Sequence, residues 1–484
     1  MTAPTRALGP AFRAPDPRDF VARTEPLGLG EDPPPFRLDE RAKAAADGGH
    51  LIAGREKLFA GSGTAAVLEL PSGLEDIGAL RRVAEWLRAV EPFPVGEPPP
   101  GGGTDGDAGG RDPVGQTGSR PPVVALGAFP FDRSAPARLV VPSSLSCRSR
   151  DGRSWRIVVE RRDRSADHRE RQSGRAGPDG SPFAPGLPVA PGECREVPTG
   201  AGYEAAVAAA LHEIERGSLR KVVLSRSVEI GLSVAKRPSE LLEHLWGDED
   251  VFAPFSIPIG SARLVGASPE LIVGRHGDRV ESHAFAGTIG LPPGAGRDAA
   301  PPTTAAPSTQ RPAERLLESA KDRSEHRLAV EEVAAVLARR CSELDVPREP
   351  AVVLLRSDAR LGTLVRGVLR DPGEATVLTL LSLLHPTPAV GGVPRGVALK
   401  AISALEARPR GYWAGVAGWI DADGDGEWVL TIRSAILGEG GTAARVSAGA
   451  GVVEGSSPSM ELAETTLKLA PVIEALSPGT IPSS

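Results

Sequence analysis

The sequence has few cysteines, few aromatic residues and no long apolar run. Three cysteines among 484 residues, Cys147, Cys194 and Cys341, are too scattered for a disulfide framework or a zinc site. No run of about twenty apolar residues is present, so we predict no membrane-spanning helix. The first residues lack a basic segment followed by an apolar one, so we predict no signal peptide. We therefore expect the protein in the reducing cytoplasm.

Lysine is also scarce. Seven of the 56 basic residues are lysines, and the others are arginines. Arginine stays protonated in proteins, whereas a buried lysine can lose its proton and act as a base. Each lysine is therefore a candidate for an individual role. They are Lys43, Lys57, Lys221, Lys236, Lys321, Lys400 and Lys468.

The formal net charge of −6 argues against nucleic acid as a general partner. One arginine-rich stretch, 161–175, is an exception, but acids are interleaved with its arginines and it runs into Gly and Pro. We interpret this stretch as a solvated insertion in preference to a nucleic-acid patch. Hydrophobic residues make up 40% of the chain, which is enough for the core of one large domain or two ordinary ones.

The chain changes character near residue 200. Before it, two Gly/Pro-rich stretches, 97–122 and much of 172–193, are typical of flexible loops, and a third lies at 292–312. From residue 201 onward, strand and helix patterns alternate densely and include hairpins without strict βαβ order, which favours an α+β fold. We predict a variable N-terminal half, 1–200, and a catalytic region, 201–478.

Two predicted helices carry pairs of acids at helical spacing. Asp322 and Glu325 lie in SAKDRSEHRLAVEEV (319–333), and Glu461 and Glu464 lie in the closing helix, where Lys468 continues the stripe. The spacing alone is compatible with ordinary solvated helix faces. Two such pairs can also surround one divalent cation, and Mg²⁺ prefers oxygen ligands.

The segment DADGDGEW (421–428) imitates the first half of a calcium-binding loop. Asp421, Asp423, Asp425 and Gly426 match that pattern. The twelfth position is Ile432 instead of a bidentate glutamate, and strands flank the segment where helices should. The sequence therefore predicts a hairpin turn, inside a long hairpin over 411–437.

Several single residues are ambiguous by themselves. Lys221 opens an apolar strand, where it either extends to solvent or is buried as a base with a lowered pKa. Glu270 and His385 fit a strand end and a loop without any special role. Arg433 lies in an apolar predicted strand and needs an anionic partner, either an internal acid or a bound carboxylate. The glycines of SAGAGVV (447–453) suit tight packing or amide donation to an anion.

Taken together, these segments resemble the chorismate-utilising enzymes. That family contains isochorismate synthases, salicylate synthases and the larger subunits of anthranilate and aminodeoxychorismate synthases. The resemblance runs in unbroken order over 201–476. It rests on KVVLSR, GASPELIV, FAGT, SAKDRSEH, LHPTPAVGG, the RG–AG–GWID hairpin, IRSA, AGAGVV and ELAETTLK. It implies one large magnesium-dependent α+β domain of stacked, largely antiparallel sheets flanked by helices, with chorismate bound at its centre.

The resemblance also implies roles for the acids and for one lysine. Glu325 and Glu464 would be direct ligands of Mg²⁺, and Asp322 and Glu461 would be outer acids that act through water. Lys221 matches the base that activates water for attack at C2 of chorismate. Glu270 matches the acid that protonates the departing C4 hydroxyl.

The remaining matched positions imply contacts with the substrate. Arg433, the backbone of Gly449 and Lys468 fall where the family holds carboxylates. Gly287, Thr288 and His385 fall where it lines the ring pocket. Trp413 stands where the family has a tyrosine, so a hydroxyl contact with the substrate would be lost here.

Lys221 and the loop HPTPAVGG (385–392) favour an isochorismate synthase, because amine-transferring relatives typically lack this lysine. A salicylate synthase, which also eliminates pyruvate, is the alternative, and a non-catalytic chorismate-binding relative is a third. Whether the product serves menaquinone or siderophore synthesis stays open. We expect a monomer that acts on a small molecule, without nucleic-acid or membrane partners.

Overall fold

The computed structural model describes residues 12–29, 38–92, 122–151, 153–162, 189–246, 253–291, 314–355 and 358–479. Nearly all of the Gly/Pro-rich and arginine-rich stretches predicted as loops lie outside these ranges. No helix among the described residues is long and apolar enough to cross a membrane. The longer α-helices among these residues are α1 (Glu40–Gly48), α2 (Ile77–Ala89), α3 (Gly200–Glu215), α4 (Pro238–Trp246), α5 (Ala320–Ala338), α6 (Val377–Leu384), α7 (Arg395–Leu405) and α8 (Pro458–Leu476).

The described strands form two large sheets. In chain order they are β1 (Phe20–Leu29), β2 (His50–Ala53), β3 (Lys57–Ser62), β4 (Ala66–Leu70), β5 (Glu91–Pro92), β6 (Val124–Phe129), β7 (Ala137–Val141), β8 (Ser144–Ser149), β9 (Arg153–Arg161), β10 (Cys194–Val197), β11 (Lys221–Gly231), β12 (Ala253–Ile259), β13 (Ala262–Ser268), β14 (Leu271–His276), β15 (Arg279–Gly290), β16 (Cys341–Asp345), β17 (Ala351–Leu354), β18 (Asp358–Leu369), β19 (Gly392–Val393), β20 (Val416–Asp421), β21 (Gly426–Leu430), β22 (Ser434–Leu437) and β23 (Ala443–Val452).

The first sheet has the order β10-β11-β23-β22-β13-β12-β2-β3-β8-β9-β1-β5, with β19 also paired to β11. The second sheet has the order β16-β18-β15-β14-β21-β20-β6-β7-β4, with β17 also paired to β18. Among the described pairings, only β1 with β5 is parallel. The sheets face each other across a shared core, where the rings of Phe59 and Trp419 lie 4.9 Å apart. The predicted α+β fold with largely antiparallel sheets is confirmed.

Strands from before residue 200 and from after it share both sheets. In the first sheet, Phe255 of β12 pairs with Ile52 of β2. In the second sheet, Trp419 of β20 pairs with Leu126 of β6. The two stretches of sequence therefore complete each other's hydrogen-bonding edges.

The acidic segment after β20 is a hairpin turn, as predicted. One carboxylate oxygen of Asp421 accepts backbone N–H groups of Asp423 and Asp425 at 2.9 and 3.0 Å. Gly424, with φ +81°, supplies the left-handed position of the turn. The Asp425 carboxylate is also paired with Arg275, which anchors this turn to the neighbouring strand.

The prediction of one long hairpin over 411–437 is wrong beyond Leu430. The chain leaves the second sheet at the end of β21 and enters the first sheet as β22, which pairs with β13 and β23. Arg433 lies at this crossing and not within a strand, with φ +51°. Hydrophobic alternation continues on both sides of the crossing, so the pattern alone gave no sign of it.

Candidate active site

Two crossings between the sheets lie side by side. The chain passes from β13 in the first sheet to β14 in the second at Glu270, and it returns at Arg433. The two crossings are joined by backbone hydrogen bonds from Leu430 N to Glu270 O at 3.0 Å and from Ala267 N to Arg433 O at 3.2 Å. This arrangement brings Glu270 and Arg433 together, although they lie far apart in the sequence.

Glu270 is a buried carboxyl group with 4% exposure. Burial raises the pKa of Glu270 to about 8, because removal from water disfavours the carboxylate. Nearby positive charges on Arg360, Lys221 and Lys468 oppose this effect without cancelling it. Glu270 therefore holds a proton at neutral pH and can donate it.

Arg433 is paired internally. Its Nη2 donates to Asp358, and its Nη1 donates to the Lys468 carbonyl oxygen at 3.0 Å. Arg360 Nε donates to the other Asp358 oxygen at 2.8 Å. These two arginines hold the pKa of Asp358 well below its usual range, although burial opposes them. The predicted need for an anion at Arg433 is met by Asp358, an acid that the sequence analysis did not single out.

Lys221 is fully buried at the start of β11 and pairs with Glu325 of α5, with 2.9 Å between Nζ and Oε1. Burial by itself raises the pKa of Glu325. The charges of Lys221 and Lys468 outweigh burial and hold this pKa below its usual value. The ambiguity over Lys221 is resolved in favour of burial, since its amine faces an acid and not solvent.

The acids of α8 are also paired with lysines. Lys468 Nζ donates to Glu464 Oε1 at 2.6 Å and to the Gly449 carbonyl oxygen at 3.0 Å. Lys321 of α5 donates to Glu461 Oε1 at 2.6 Å. The Lys321 pairing joins the two acid-bearing helices directly. Lys321 was not predicted as a site residue, because Glu461 lies 140 positions away.

The acids of α5 and α8, namely Asp322, Glu325, Glu461 and Glu464, form what we call the acid cluster. Three of the seven lysines of the chain pair with its members. Each lysine neutralises a different carboxylate, which stabilises charges that are largely removed from water. The scarcity of lysine was a useful signal in the sequence, since it made these three positions distinctive.

The acid cluster has suitable chemistry for Mg²⁺. Burial raises the pKa of Asp322, and so do the negative charges of Glu325 and Glu464. Burial and the charge of Glu464 likewise raise the pKa of Glu461. The carboxylates of the two helices therefore repel one another. Carboxylate oxygens are the ligands that Mg²⁺ prefers. As the side chains stand, no three His, Cys, Asp or Glu of the described residues converge into a metal-binding group. A cation must therefore compete with the lysines for these oxygens.

Three glycines leave room for the acids and for Trp413. A Cβ at Gly451 would lie 2.1 Å from Glu325 Oε1, and one at Gly287 would lie 2.9 Å from the Asp322 Cβ. Gly287 also has φ +73° and forms a bulge in β15. A Cβ at Gly449 would lie 2.9 Å from the Trp413 ring. A side chain at any of these positions would force a neighbouring group to move. At Gly449 and Gly451 this agrees with the tight packing that the glycines of SAGAGVV allow.

The remaining predicted residues are Thr288, Trp413 and His385. Thr288 follows the bulge and is opposite Arg360 in the sheet register. Trp413 is buried, and its indole N–H has no hydrogen-bond partner among the described residues. His385 is fully buried, and burial together with Arg133 lowers its pKa to about 3, so the ring is neutral. The His385 ring packs edge-on to the Phe131 ring, with 6.2 Å between the ring centroids.

Comparison with known families decides the family. A family model described as "Chorismate binding enzyme" matches residues 182–477, which is more than half of the chain. The protein belongs to the chorismate-binding enzyme family. The resemblance inferred from the motifs over 201–476 is confirmed.

Similar proteins within the family are isochorismate synthases. Isochorismate synthase DhbC of Bacillus subtilis is 35% identical over 368 residues, covering 75% of this chain and 82% of that protein. Isochorismate synthase EntC of Escherichia coli K12 is 34% identical over 351 residues, covering 72% and 80%. The vibriobactin-specific isochorismate synthase of Vibrio cholerae is 39% identical over 279 residues, covering 57% and 67%.

Solved structures agree with the fold. The structure of DhbC from Bacillus anthracis has a TM-score of 0.67 at 30% identity and covers 89% of this chain and 96% of that one. The menaquinone-specific isochorismate synthase MenF of Escherichia coli has a TM-score of 0.68 at 22% identity, with coverage of 97% and 95%. The second comparison supports the fold alone, and both place this chain in the chorismate-binding fold.

Proposed function

We propose that the protein is an isochorismate synthase, which converts chorismate into isochorismate. The observation that carries this proposal is that a buried lysine and a buried, protonated glutamic acid lie in the same site. Lys221 is a buried amine at the acid cluster, and Glu270 is a buried carboxyl group whose raised pKa keeps it protonated. A base and an acid near one another are what hydroxyl exchange requires, since water is a weak nucleophile and hydroxide is a poor leaving group.

The proposed reaction moves two protons and leaves the substrate's composition unchanged. Lys221 takes a proton from a water molecule as its oxygen bonds to C2 of chorismate. The ring double bonds shift, and the C4–O bond breaks as Glu270 gives its proton to the departing hydroxyl. One water is consumed and one is released, so no oxidant or reductant is needed. Lys221 and Glu270 then exchange protons with solvent.

We propose Mg²⁺ as the cofactor, with Glu325 and Glu464 as direct ligands and Asp322 and Glu461 as outer acids. When bound, the ion supplies positive charge for a carboxylate of chorismate. Glu325 would then direct its carboxylate to the ion and would no longer pair with Lys221. A free Lys221 amine is the form that can accept a proton from water.

The substrate-binding groups surround this centre. Lys468 and Arg433 supply positive charge for the carboxylates of chorismate, with Arg433 held in its crossing by Asp358. Gly449 brings its backbone close to the same region. The ring pocket is formed by four further residues, namely Gly287, Thr288, His385 and Trp413.

These groups all lie in 201–478, so we propose this region as the catalytic part and 1–200 as the variable part. Relatives with menaquinone-specific and vibriobactin-specific names both occur, and the proposal therefore ends at isochorismate as the product. We also propose a cytoplasmic monomer that binds neither nucleic acid nor membrane. Gel filtration with light scattering measures the oligomeric state.

The test is to incubate the protein with Mg²⁺ and either chorismate or isochorismate, and to separate the products by chromatography. We expect the same mixture of the two isomers from either starting point, because the two have similar bonding. A coupled lactate dehydrogenase assay measures pyruvate at the same time points. Stoichiometric pyruvate and salicylate would identify a salicylate synthase instead. Binding of chorismate without any conversion would identify a non-catalytic relative.

A further inference from the structure

Arg410 follows α7, which ends at Leu405, and its side chain is buried. Its side chain has 2% exposure and pairs with Glu406, which has 5% exposure. Arg410 Nε donates to Glu406 Oε2 at 2.9 Å. A buried ion pair of this kind is costly to form unless its remaining donors and acceptors are also satisfied.

The remaining groups of the pair bind backbone atoms of two different segments. Arg410 Nη2 donates to the Val223 carbonyl oxygen at 2.8 Å, and Arg410 Nη1 donates to the Val390 carbonyl oxygen at 2.6 Å. Glu406 Oε1 accepts the Ser225 N–H at 2.9 Å. Val223 and Ser225 lie on β11 two and four residues after Lys221. Val390 lies in the loop that follows His385.

Arg410 also contacts aromatic rings. Its guanidinium carbon lies 4.2 Å from the Phe131 ring centroid and 5.2 Å from that of Trp413. Such contacts are favourable for a cation over an aromatic face. The Trp413 ring packs in turn against Gly449, and Phe131 packs against His385. One side chain therefore contacts the strand that begins at Lys221, the loop that follows His385, and Trp413.

We propose that Arg410 is a positioning residue for the reaction, with Glu406 as its fixed partner. It holds the Lys221 strand, the loop after His385 and Trp413 in one arrangement, and it contacts no reacting atom. The inference rests on the proposed function for the roles of those three elements. Arginine is required because its planar fork donates in several fixed directions and also stacks on rings, whereas a lysine amine is a single point.

The test compares Arg410→Lys with Arg408→Lys. Arg408 lies two residues earlier and is paired with Glu229, away from the site, so it is a matched control for losing an arginine. We expect Arg410→Lys to lower kcat at least about tenfold with a smaller change in KM, because small displacements of a catalytic group cost rate steeply. Arg408→Lys should keep kcat and KM within about twofold. Equal kinetic constants for Arg410→Lys and the wild type would overturn the proposal.

Tryptophan fluorescence gives a readout that does not depend on turnover. Arg410→Lys should shift the emission spectrum, and the shift should vanish when the same change is made in a Trp413→Phe background. Glu406→Gln, which keeps the shape of the partner, should show the same kinetic loss in a milder form if Arg410→Lys fails to fold. A lower melting temperature with unchanged kcat and spectrum would make Arg410 purely structural. If the wild type converts no chorismate, the proposed function fails, but the fluorescence comparison still tests the positioning of Trp413.

Discussion

At the scale of single residues, the proposed reaction requires one buried proton donor and one buried proton acceptor. Glu270 must give a proton and Lys221 must take one. Burial raises the pKa of Glu270 to about 8 from an ordinary 4.5, so its acid form is present below about pH 8 and disappears above it. Where Lys221 is already the free amine that the reaction needs, we expect kcat/KM for chorismate to fall about tenfold per pH unit above that midpoint, because the proton donor is lost. Initial rates measured between pH 6 and pH 10, at saturating Mg²⁺, check this on a scale of about one unit.

The reverse reaction should follow the same pH profile. It needs Glu270 as carboxylate and Lys221 as ammonium, which together carry the same number of protons as the forward pair. The profile for isochorismate should therefore have the same midpoint as that for chorismate. A rate that stays flat through pH 8 would contradict the acid role of Glu270.

Replacing Lys221 separates its chemical role from binding. We expect Lys221→Ala to lose turnover by at least about a hundredfold, the usual scale for a general base, while chorismate still binds. Isothermal titration with chorismate measures the binding. Lys400→Ala is the control, because Lys400 is an exposed lysine on α7. A Lys221→Ala protein with normal turnover would leave Lys221 only the structural task of pairing with Glu325.

Gly451 tests whether the position of Glu325 matters. A Cβ there would lie 2.1 Å from Glu325 Oε1 and 3.3 Å from Lys221 Cε, so Gly451→Ala must displace this ion pair. We expect kcat to fall at least about tenfold. Gly396→Ala is the matched control, since its Cβ would meet nothing within 4 Å, and it should leave kcat unchanged. Equal kcat values for the two variants would show that the pair tolerates displacement.

At the scale of elements, α5 and α8 bring four acids together, and lysines compensate three of them. We expect EDTA to abolish turnover and excess Mg²⁺ to restore it. Mg²⁺ should also raise the melting temperature of the wild type, by an amount corresponding to about 2.7 kcal/mol at a hundredfold excess over Kd. Glu464→Gln should lose both the turnover and this stabilisation.

Glu474→Gln on the same helix is the control, because Glu474 is an exposed residue whose carboxylate accepts the Gly479 N–H at 3.2 Å. This variant should respond to Mg²⁺ as the wild type does. Full activity of Glu464→Gln would remove α8 from the proposed metal site.

The elements also show which features the sequence could predict. The helical spacing of Asp322 with Glu325 and of Glu461 with Glu464 was readable, because it depends on neighbours within one turn. The ion pair between Lys321 and Glu461 could not be predicted, because it joins two helices that are far apart in the sequence. The crossings at Glu270 and Arg433 were also hidden, because apolar alternation is the same in either sheet. Family motifs pointed to Arg433, but its internal partner Asp358 became visible only in the structure.

At the scale of the whole molecule, the two stretches on either side of residue 200 depend on each other. Strand β12 has β2 as a neighbour and β20 has β6, so each sheet contains strands from both stretches. Phe59 and Trp419 extend this mutual dependence into the core between the sheets. Motifs that lie entirely after residue 201 are thus held in sheets that include strands from before residue 200.

This arrangement leads to a prediction about a truncated protein. A fragment of residues 189–484 keeps every proposed site residue and β10, but it loses the strands that cover β12 and β20. Exposed strand edges and apolar core surface favour aggregation. We expect this fragment to be insoluble or to bind the dye ANS strongly when expressed alone, and to be inactive. Co-expression with residues 1–188 should restore soluble, active protein, because the missing strands return to both sheets. A soluble and active fragment 189–484 would show instead that the catalytic region folds without the strands that pair with it here.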